Sequence, residues 1–542
     1  MEPRRARISI VLNKHIQLIG WLNVIKGKKM KWKYNLFTIL FFCCGSVLLA
    51  QPAIQWQKSL GGSGYDEASS IQQTNDGGYI VAGRSSSTDG HVSGNHGGED
   101  VWVVRLASNG AILWQKSYGG TGNDVASVIE NTTDGGYVMA GRSTSTNGDV
   151  TGNHGGEDFW VVKISLTGTL QWQKSLGGSG DDRAHSIKQT FDGGYIIAGR
   201  SGSSDGDVSK NQGSDDYWVV KLTNTGALDW EKSFGGTGYD EGNSIRQTAD
   251  SGYIVAGRSS SYDGDVTSNH GSLEYWLLKL SVAGDIQWDK SLGGLVDDEA
   301  YSIQTTFDGG YVVAGWSNSN NGDVSGNHGN EDYWVAKLTS KGDMEWERSM
   351  GGSKYDIASH IIQTLDSGYM VTGWSASEDG DVTGHHGSTD YWMVKLTKTG
   401  EIWWQKALGG TSYELASAII QSTDGGYVVA GGSFSNDGEV TGNSGSTDFW
   451  IVKLTSVVGI DEFAGINRSL FYPNPTSGQI TIHTEAELVG STYIISNTLG
   501  KVVLSGKLAS TNAILDIGNL SSGIYQIRLG DQNVQTFKFI KD

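Results

Sequence analysis

Short acidic spacings and a handful of out-of-pattern aromatic, basic and histidine side chains are the residues of this sequence able to do chemistry. Asp205-Gly206-Asp207 is echoed by Asp263/Asp265, Asn321/Asp323, Asp379/Asp381 and Asp437/Glu439. Asp-x-Asp spacing presents hard oxygen ligands, so Asp205, Asp207, Asp263, Asp265, Asp379 and Asp381 are candidate ligands for calcium, the one cofactor the sequence suggests. The full Asp-x-Asp-x-Asp-Gly series of a calcium loop is missing, and Asx-turns that fold the loop compete with the metal reading. Asn-His-Gly recurs at 95–97, 153–155, 269–271 and 327–329; histidines spread so regularly along the chain do not converge on zinc.

Departures from regularity carry more information. The position held by Arg84, Arg142, Arg200 and Arg258 becomes Trp316, then Trp374, then Gly432. Two aromatics beside a cleared position can stack on sugar rings. Arg183, His185, Asn243, Tyr301 and His360 replace mostly small residues in a neighbouring segment, with drift at solvent-facing positions as the competing explanation. Trp316, Trp374, Arg183, His185, Tyr301 and His360 are therefore the candidate ligand-binding residues, and no catalytic residue is assigned. No nucleophile elbow, phosphate loop, dinucleotide fingerprint or His-Glu-x-x-His zinc motif occurs. A pair of loop carboxylates working on a glycosidic bond is the enzymatic alternative.

The elements that must position these residues follow from a repeat. Trp56, Trp114, Trp172, Trp230, Trp288, Trp346 and Trp404 stand 58 residues apart, as do Trp102, Trp160, Trp218, Trp276, Trp334, Trp392 and Trp450. Each unit divides into four strand candidates; in the first they are Ala68–Thr74 (a), Gly78–Arg84 (b), Asp100–Ala107 (c) and Ala111–Tyr118 (d). Asn75-Asp76-Gly77-Gly78 and Ser108-Asn109-Gly110 are tight-turn signals, whereas the b–c link at 85–99 is long and polar. Four antiparallel strands repeated seven times predict a seven-bladed β-propeller, all-β throughout. The last repeat lacks its d strand and the first has a surplus one, Ile54–Leu60, so pairing the two closes the ring. A meander of this kind gathers the long b–c and d–a links on one face, where function belongs. Residues common to all seven repeats, the tryptophans among them, are read as structural, and so are the strand-c lysines of six repeats with Arg105 in the first.

Composition agrees. Glycine numbers 79 against 4 prolines, none of them within the repeats. The whole chain carries −19; residues 1–50, with 9 basic residues and 1 acid, set aside, the rest carries −27. Such a surface repels phosphate backbones and excludes nucleic acid as a partner. Lys28–Lys33 followed by the apolar run 36–50 reads as a signal peptide with cleavage after Ala50, preceded by an extension before Met30. The run is too short to span a bilayer. It holds both cysteines, Cys43 and Cys44, so the exported protein has no thiol chemistry.

From residue 470 the repeat ends and short alternating strands predict a small immunoglobulin-like β-sandwich. Tyr472-Pro473-Asn474-Pro475, Gly478, Asn497–Val503, Leu515–Ile517, Leu520–Tyr525 (with Gly523 and Tyr525) and Phe537–Lys541 follow in order. This stretch resembles the C-terminal sorting domain of type IX secretion substrates of Bacteroidetes-type bacteria. The resemblance implies handling by the type IX machinery and delivery outside the cell or onto the outer-membrane surface. The repeat itself, with Asp-Gly-Gly-Tyr-Ile-Val-Ala-Gly at 76–83, resembles propeller repeats of secreted bacterial proteins, some of them lectin-like. The mannose pattern of bulb-type lectins is absent.

The sequence thus divides into an extension with signal peptide (1–50), a propeller (51–456), a linker (457–469) and a sorting domain (470–542). Its expected function is binding of an extracellular glycan or protein through the long-loop face. A channel-mouth hydrolase or lyase and a structural adhesion component are the alternatives.

Overall fold

The computed structural model describes residues 51–456, 470–472, 478–483, 488–497, 501–521, 523–529 and 535–541. The expected signal peptide, the linker and Pro473, Asn474 and Pro475 lie outside the described residues. No described helix is long and apolar enough to cross a membrane.

Each repeat folds as four antiparallel strands because its β-branched and aromatic runs are cut by turns that only reverse the chain. In the first repeat these are Asp66–Gln73, Tyr79–Ser85, Asp100–Leu106 and Ile112–Tyr118. The a–b turn needs a left-handed residue, supplied by Gly77 at φ +80°, and Thr74 and Gly78 close it through main-chain hydrogen bonds. Seven such four-stranded sheets are present, six in chain order. The seventh joins Glu414–Gln421, Tyr427–Ser433 and Asp448–Leu454 to the N-terminal strand Ile54–Leu60, with Gln57 opposite Val452 and Leu60 opposite Phe449. Every inner a strand packs beside those of the preceding and following sheets, the last beside the first. The ring is closed by its own N-terminus, and the fold is a β-propeller. Its blades are numbered here by their inner strands: Asp66–Gln73, Asp124–Asn131, Asp182–Gln189, Asp240–Gln247, Asp298–Thr305, Asp356–Gln363 and Glu414–Gln421.

The core sits between blades. The c-strand tryptophans, Trp102 to Trp450, are almost fully buried, and each of six packs at a tilt against an aromatic of the preceding blade, as Trp276 does against Tyr217 at 4.7 Å and Trp102 against Phe449 at 4.6 Å. Tyr217 donates its hydroxyl proton to the Trp276 carbonyl at 2.7 Å, so the seam is polar as well as apolar. The d-strand tryptophans, half-buried apart from the buried Trp404, meet the b-strand tyrosine of the next blade, Trp56 against Tyr79 at 5.8 Å.

The strand-c cations are structural, as their recurrence implies. Each reaches the aspartate of its own a–b turn: Lys163 to Asp134 and Lys279 to Asp250 at 2.9 Å, Lys395 to Asp366 at 2.8 Å. Lys279 is 4 % exposed and also donates to the Leu280 carbonyl at 3.1 Å. Lys279→Met takes the donor from the buried Leu280 carbonyl contact and the cation from Asp250, and is expected to lower stability by about 1–3 kcal/mol. An unchanged midpoint in urea unfolding would contradict that role.

Beyond residue 470 the described strands form a three-stranded and a four-stranded sheet. Ile480 and Ile482 from one sheet and Ile495, Tyr525, Ile527 and Phe539 from the other share one apolar cluster, making a small β-sandwich. Tyr525 is buried there, stacks on Phe539 at 5.6 Å and donates to the Ser521 carbonyl at 2.8 Å. Gly478 accepts from Ile517 N at 2.8 Å, and Gly523 opens the strand Gly523–Leu529.

Candidate functional site at the channel mouth

A glycine inside each b strand shapes the channel. At Gly83 an added Cβ would sit 1.9 Å from the Glu67 carbonyl oxygen, and the same close approach recurs at Gly141, Gly199, Gly257, Gly315, Gly373 and Gly431. Opposite each glycine the inner strand bulges: Ala68 pairs with Gly83 and Ser70 with Ala82, leaving Ser69 as the extra residue. A bulge re-aims a side chain. Its seven occupants, Ser69, Ser127, His185, Asn243, Tyr301, Ser359 and Ser417, all line the channel. Small hydroxyls fill four places, and blades three to five carry His185, Asn243 and Tyr301.

Above this waist lies a cavity of about 820 Å³, lined by the opening residues of the a strands and the closing residues of the b strands. It therefore opens on the face of the long b–c links. A smaller cavity of about 140 Å³ lies below, lined by Glu130, Lys188, Arg246 and His360 among others.

The mouth has two unlike arcs. Across blades one to four, arginines and carboxylates interlock. Arg84 pairs with Glu67 at 2.7 Å and Glu99 at 3.3 Å; Arg142 with Glu157 at 3.2 Å; Arg200 with Asp215; Arg258 with Glu241 at 2.6 Å and Glu299 at 2.8 Å. Glu241 is the hub. Burial pushes its carboxyl up, but His185, Arg258 and the Tyr239 hydroxyl outweigh burial and hold it well below the usual range. Glu299 goes the other way, raised by burial and by Glu241 despite Arg258. His185 Nε2 lies 2.7 Å from Glu241 Oε1, outside hydrogen-bonding directions. Burial and the Glu299 carboxylate push the Tyr301 hydroxyl up. Across blades five to seven the ladder gives way to Trp316, Trp374, Tyr355 and Ile357 in the cavity wall. The aromatic trend continues in Tyr413 and Tyr65, each 6.1 Å from Phe434.

Of the six residues singled out by type, Trp316, Trp374, His185 and Tyr301 share the large cavity. Arg183 does not line it; its guanidinium is engaged by Glu157, with Asp181 at 4.0 Å. His360 sits deeper, where it takes the place that serine holds in other blades. Ile419 N donates to His360 Nδ1 at 3.2 Å just as Ile361 N donates to Ser302 Oγ at 3.3 Å. Burial and the nearby Arg246 and Lys188 lower its pKa to about 3, and it lines the smaller cavity at the seam. Glu241, Glu299, Glu331 and Tyr355 were not singled out by sequence; comparing the columns 58 residues apart on either side of the arginine series is the signal that finds them.

In the loops the candidate calcium ligands take part in hydrogen bonds between segments. Asp205 accepts from Ser179 N at 2.7 Å, Asp263 from Thr237 N at 2.7 Å and Asp379 from Ser353 N at 2.8 Å. Asp207 and Asp265 accept from Gly177 N and Gly235 N, and the Asp381 amide donates to the Gly351 carbonyl at 2.8 Å. These residues tie each b–c loop to its own d–a link. Among the described residues no three His, Cys, Asp or Glu side chains gather to hold a metal.

The Regulatory protein FlaEY of Caulobacter vibrioides is 22% identical over 305 residues, covering 48% of this chain and 31% of its own length. The chain thus spans about a third of that relative. Among solved structures, PorZ of Porphyromonas gingivalis, described as an essential surface component of the type-IX secretion system, matches at 12% identity and a TM-score of 0.35, over 90% of this chain and 61% of PorZ. BamB from Moraxella catarrhalis matches at 12% identity and a TM-score of 0.34, over 74% of this chain and 99% of BamB. Residues 470–542 match the secretion system C-terminal sorting domain. The chain carries that sorting domain behind a β-propeller and is exported by type IX secretion, to the cell surface or beyond.

Proposed function

We propose that this exported protein binds an extracellular glycan in the 820 Å³ cavity on the long-loop face of its propeller. In this reading residues 51–456 bind, 457–469 link and 470–542 direct export. One observation carries it: the arginine–carboxylate ladder is interrupted by Trp316 and Trp374 on adjacent blades, in the wall of a cavity whose floor carries four serine hydroxyls beside His185, Asn243 and Tyr301. Flat indole faces beside hydroxyl-rich walls suit a sugar, whose apolar face stacks while its edges hydrogen-bond.

The enzymatic alternative draws on Glu241 and Glu299, neighbouring carboxylates whose proton affinities are pushed apart. Arg258 bridges them at 2.6 and 2.8 Å, filling the place a scissile bond or attacking water needs, so binding is the better reading.

The test is a glycan array probed with the exported chain and with Trp316→Ala and Trp374→Ala. Specific signals on the wild type that drop about tenfold or more in either variant are the expected result, the scale of losing a stacked aromatic anchor. Signals indifferent to both substitutions, or a blank array, would remove the glycan reading.

A further inference from the structure

The acid that closes each b–c loop obeys a rule with one exception. Where it is present in blades one to three, a guanidinium meets it: Glu99 with Arg84, Glu157 with Arg142 and Arg183, Asp215 with Arg200. Where the arginine is lost in blades six and seven, to Trp374 and Gly432, the acid is lost too, to Thr389 and Thr447. Blade four keeps Arg258 and has Leu273 in place of the acid, the arginine being met by Glu241 and Glu299. Blade five alone keeps the acid, Glu331, after replacing the arginine by Trp316.

The next blade offers Glu331 no cation either. The position from which Arg183 reaches Glu157 is Ile357 in blade six. The Glu331 carbonyl accepts from Asp356 N at 2.7 Å, which fixes its main chain at the seam between blades five and six. Glu331 lines the cavity together with Trp316, Trp374, Tyr355 and Ile357, and its Oε2 is buried without a hydrogen-bond partner. A carboxylate oxygen removed from water and left unpaired is costly, and the fold supplies its counter-ion everywhere else. Around the mouth, Glu67, Glu99, Glu157, Asp215, Glu241, Glu299 and Glu331 outnumber Arg84, Arg142, Arg183, Arg200 and Arg258, which leaves charge for a cation to balance. Indole faces attract cations as well.

We propose that Glu331, with Trp316, Trp374 and Tyr355 around it, forms a subsite for a protonated amine, so that the ligand is a glycan containing an amino sugar with a free amino group. This rests on the glycan reading above. The ammonium takes the place that Arg84 occupies against Glu99, while the sugar ring lies against an indole. An N-acetylated unit presents a neutral amide there and leaves the carboxylate unbalanced.

Calorimetric titration of the exported chain at pH 6 with glucosamine oligomers and with N-acetylglucosamine oligomers of equal length tests this. The wild type is expected to prefer the free-amine oligomer by about tenfold or more, the scale of a desolvated charge pair. Glu331→Gln is expected to abolish that preference while changing affinity for the acetylated oligomer by less than about twofold. Equal binding of both oligomers by the wild type, or a preference that survives Glu331→Gln, would overturn the amine subsite while leaving the glycan reading in place. If neither oligomer nor any other glycan binds, both readings fall.

Discussion

Deletion of residues 51–60 is expected to destroy the cooperative stability of the propeller rather than trim it. Ile54–Leu60 is the outer strand of the seventh sheet, paired with Asp448–Leu454 from Ile54–Leu454 to Leu60–Phe449. Its removal exposes a row of main-chain donors and acceptors on Asp448–Leu454, and Leu60, now 3 % exposed, leaves the cluster that holds Trp102 and Phe449. Ladder hydrogen bonds contribute about 1 kcal/mol each and a buried leucine about 2 kcal/mol, so the loss exceeds roughly 5 kcal/mol. That is comparable to the whole stability of many domains. The bare edge also invites strand addition from a second molecule. Thermal unfolding and light scattering of the truncated chain should show a collapsed transition and association. A truncated chain with the parent melting temperature would mean that the ring does not depend on its N-terminal strand.

The second large effect is a dependence of stability on pH with an unusual sign. At every seam a fully buried carboxylate opening a c strand faces another opening the next inner strand, beginning with Asp100 and Asp124 and ending with Asp448 and Asp66. Burial pushes all seven c-strand acids up. Asp216 and Asp448 rise from near 3.8 to about 6, as does Asp356 on an inner strand. A carboxyl whose folded pKa lies above its unfolded one stabilises the fold when protonated. That contribution is complete below pH about 4 and lost as pH rises through about 6. Two units correspond to on the order of 3 kcal/mol for each such group.

The turn aspartates act oppositely. Burial pushes Asp134, Asp192 and Asp250 up, but hydrogen bonds from a turn threonine, a turn glycine and the strand-c lysine outweigh it and hold them near 2. Their contribution is present above pH 4 and fades toward pH 2. Stability should therefore peak between pH 4 and 5, with a melting temperature roughly 10 °C above that at pH 8. Asp216→Asn should flatten part of the slope. A melting temperature that is level, or that rises, from pH 5 to pH 8 would contradict the account.

The repetition made the fold legible. Strands expected from the turn pairs lie within two residues of those observed, because Asp76-Gly77-Gly78 and its equivalents allow the chain to do little else. Ring closure was readable from a strand surplus at one end and missing at the other. The site was harder to read, for a definable reason. Simple alternation along an inner strand gives no warning of the bulge at Ser69, so it cannot tell that His185 and Tyr301 face the channel while His360, one place further in its repeat, holds a seam. The glycine within Val81-Ala82-Gly83 was the available sign. The partners of Arg183 and the loop aspartates, Glu157 and main-chain amides, come from segments about 26 residues away, beyond the reach of a local reading. Glu331 stands out only when the arginine and acid columns are compared repeat by repeat.

If the break in the arginine ladder is a sugar platform, a crystal structure of the exported chain with its tightest-binding oligosaccharide will show it. Sugar rings are expected against the indoles of Trp316 and Trp374, inside the cavity bounded by His185 and Tyr301. An oligosaccharide seated elsewhere on the propeller, with both indoles untouched, would contradict it.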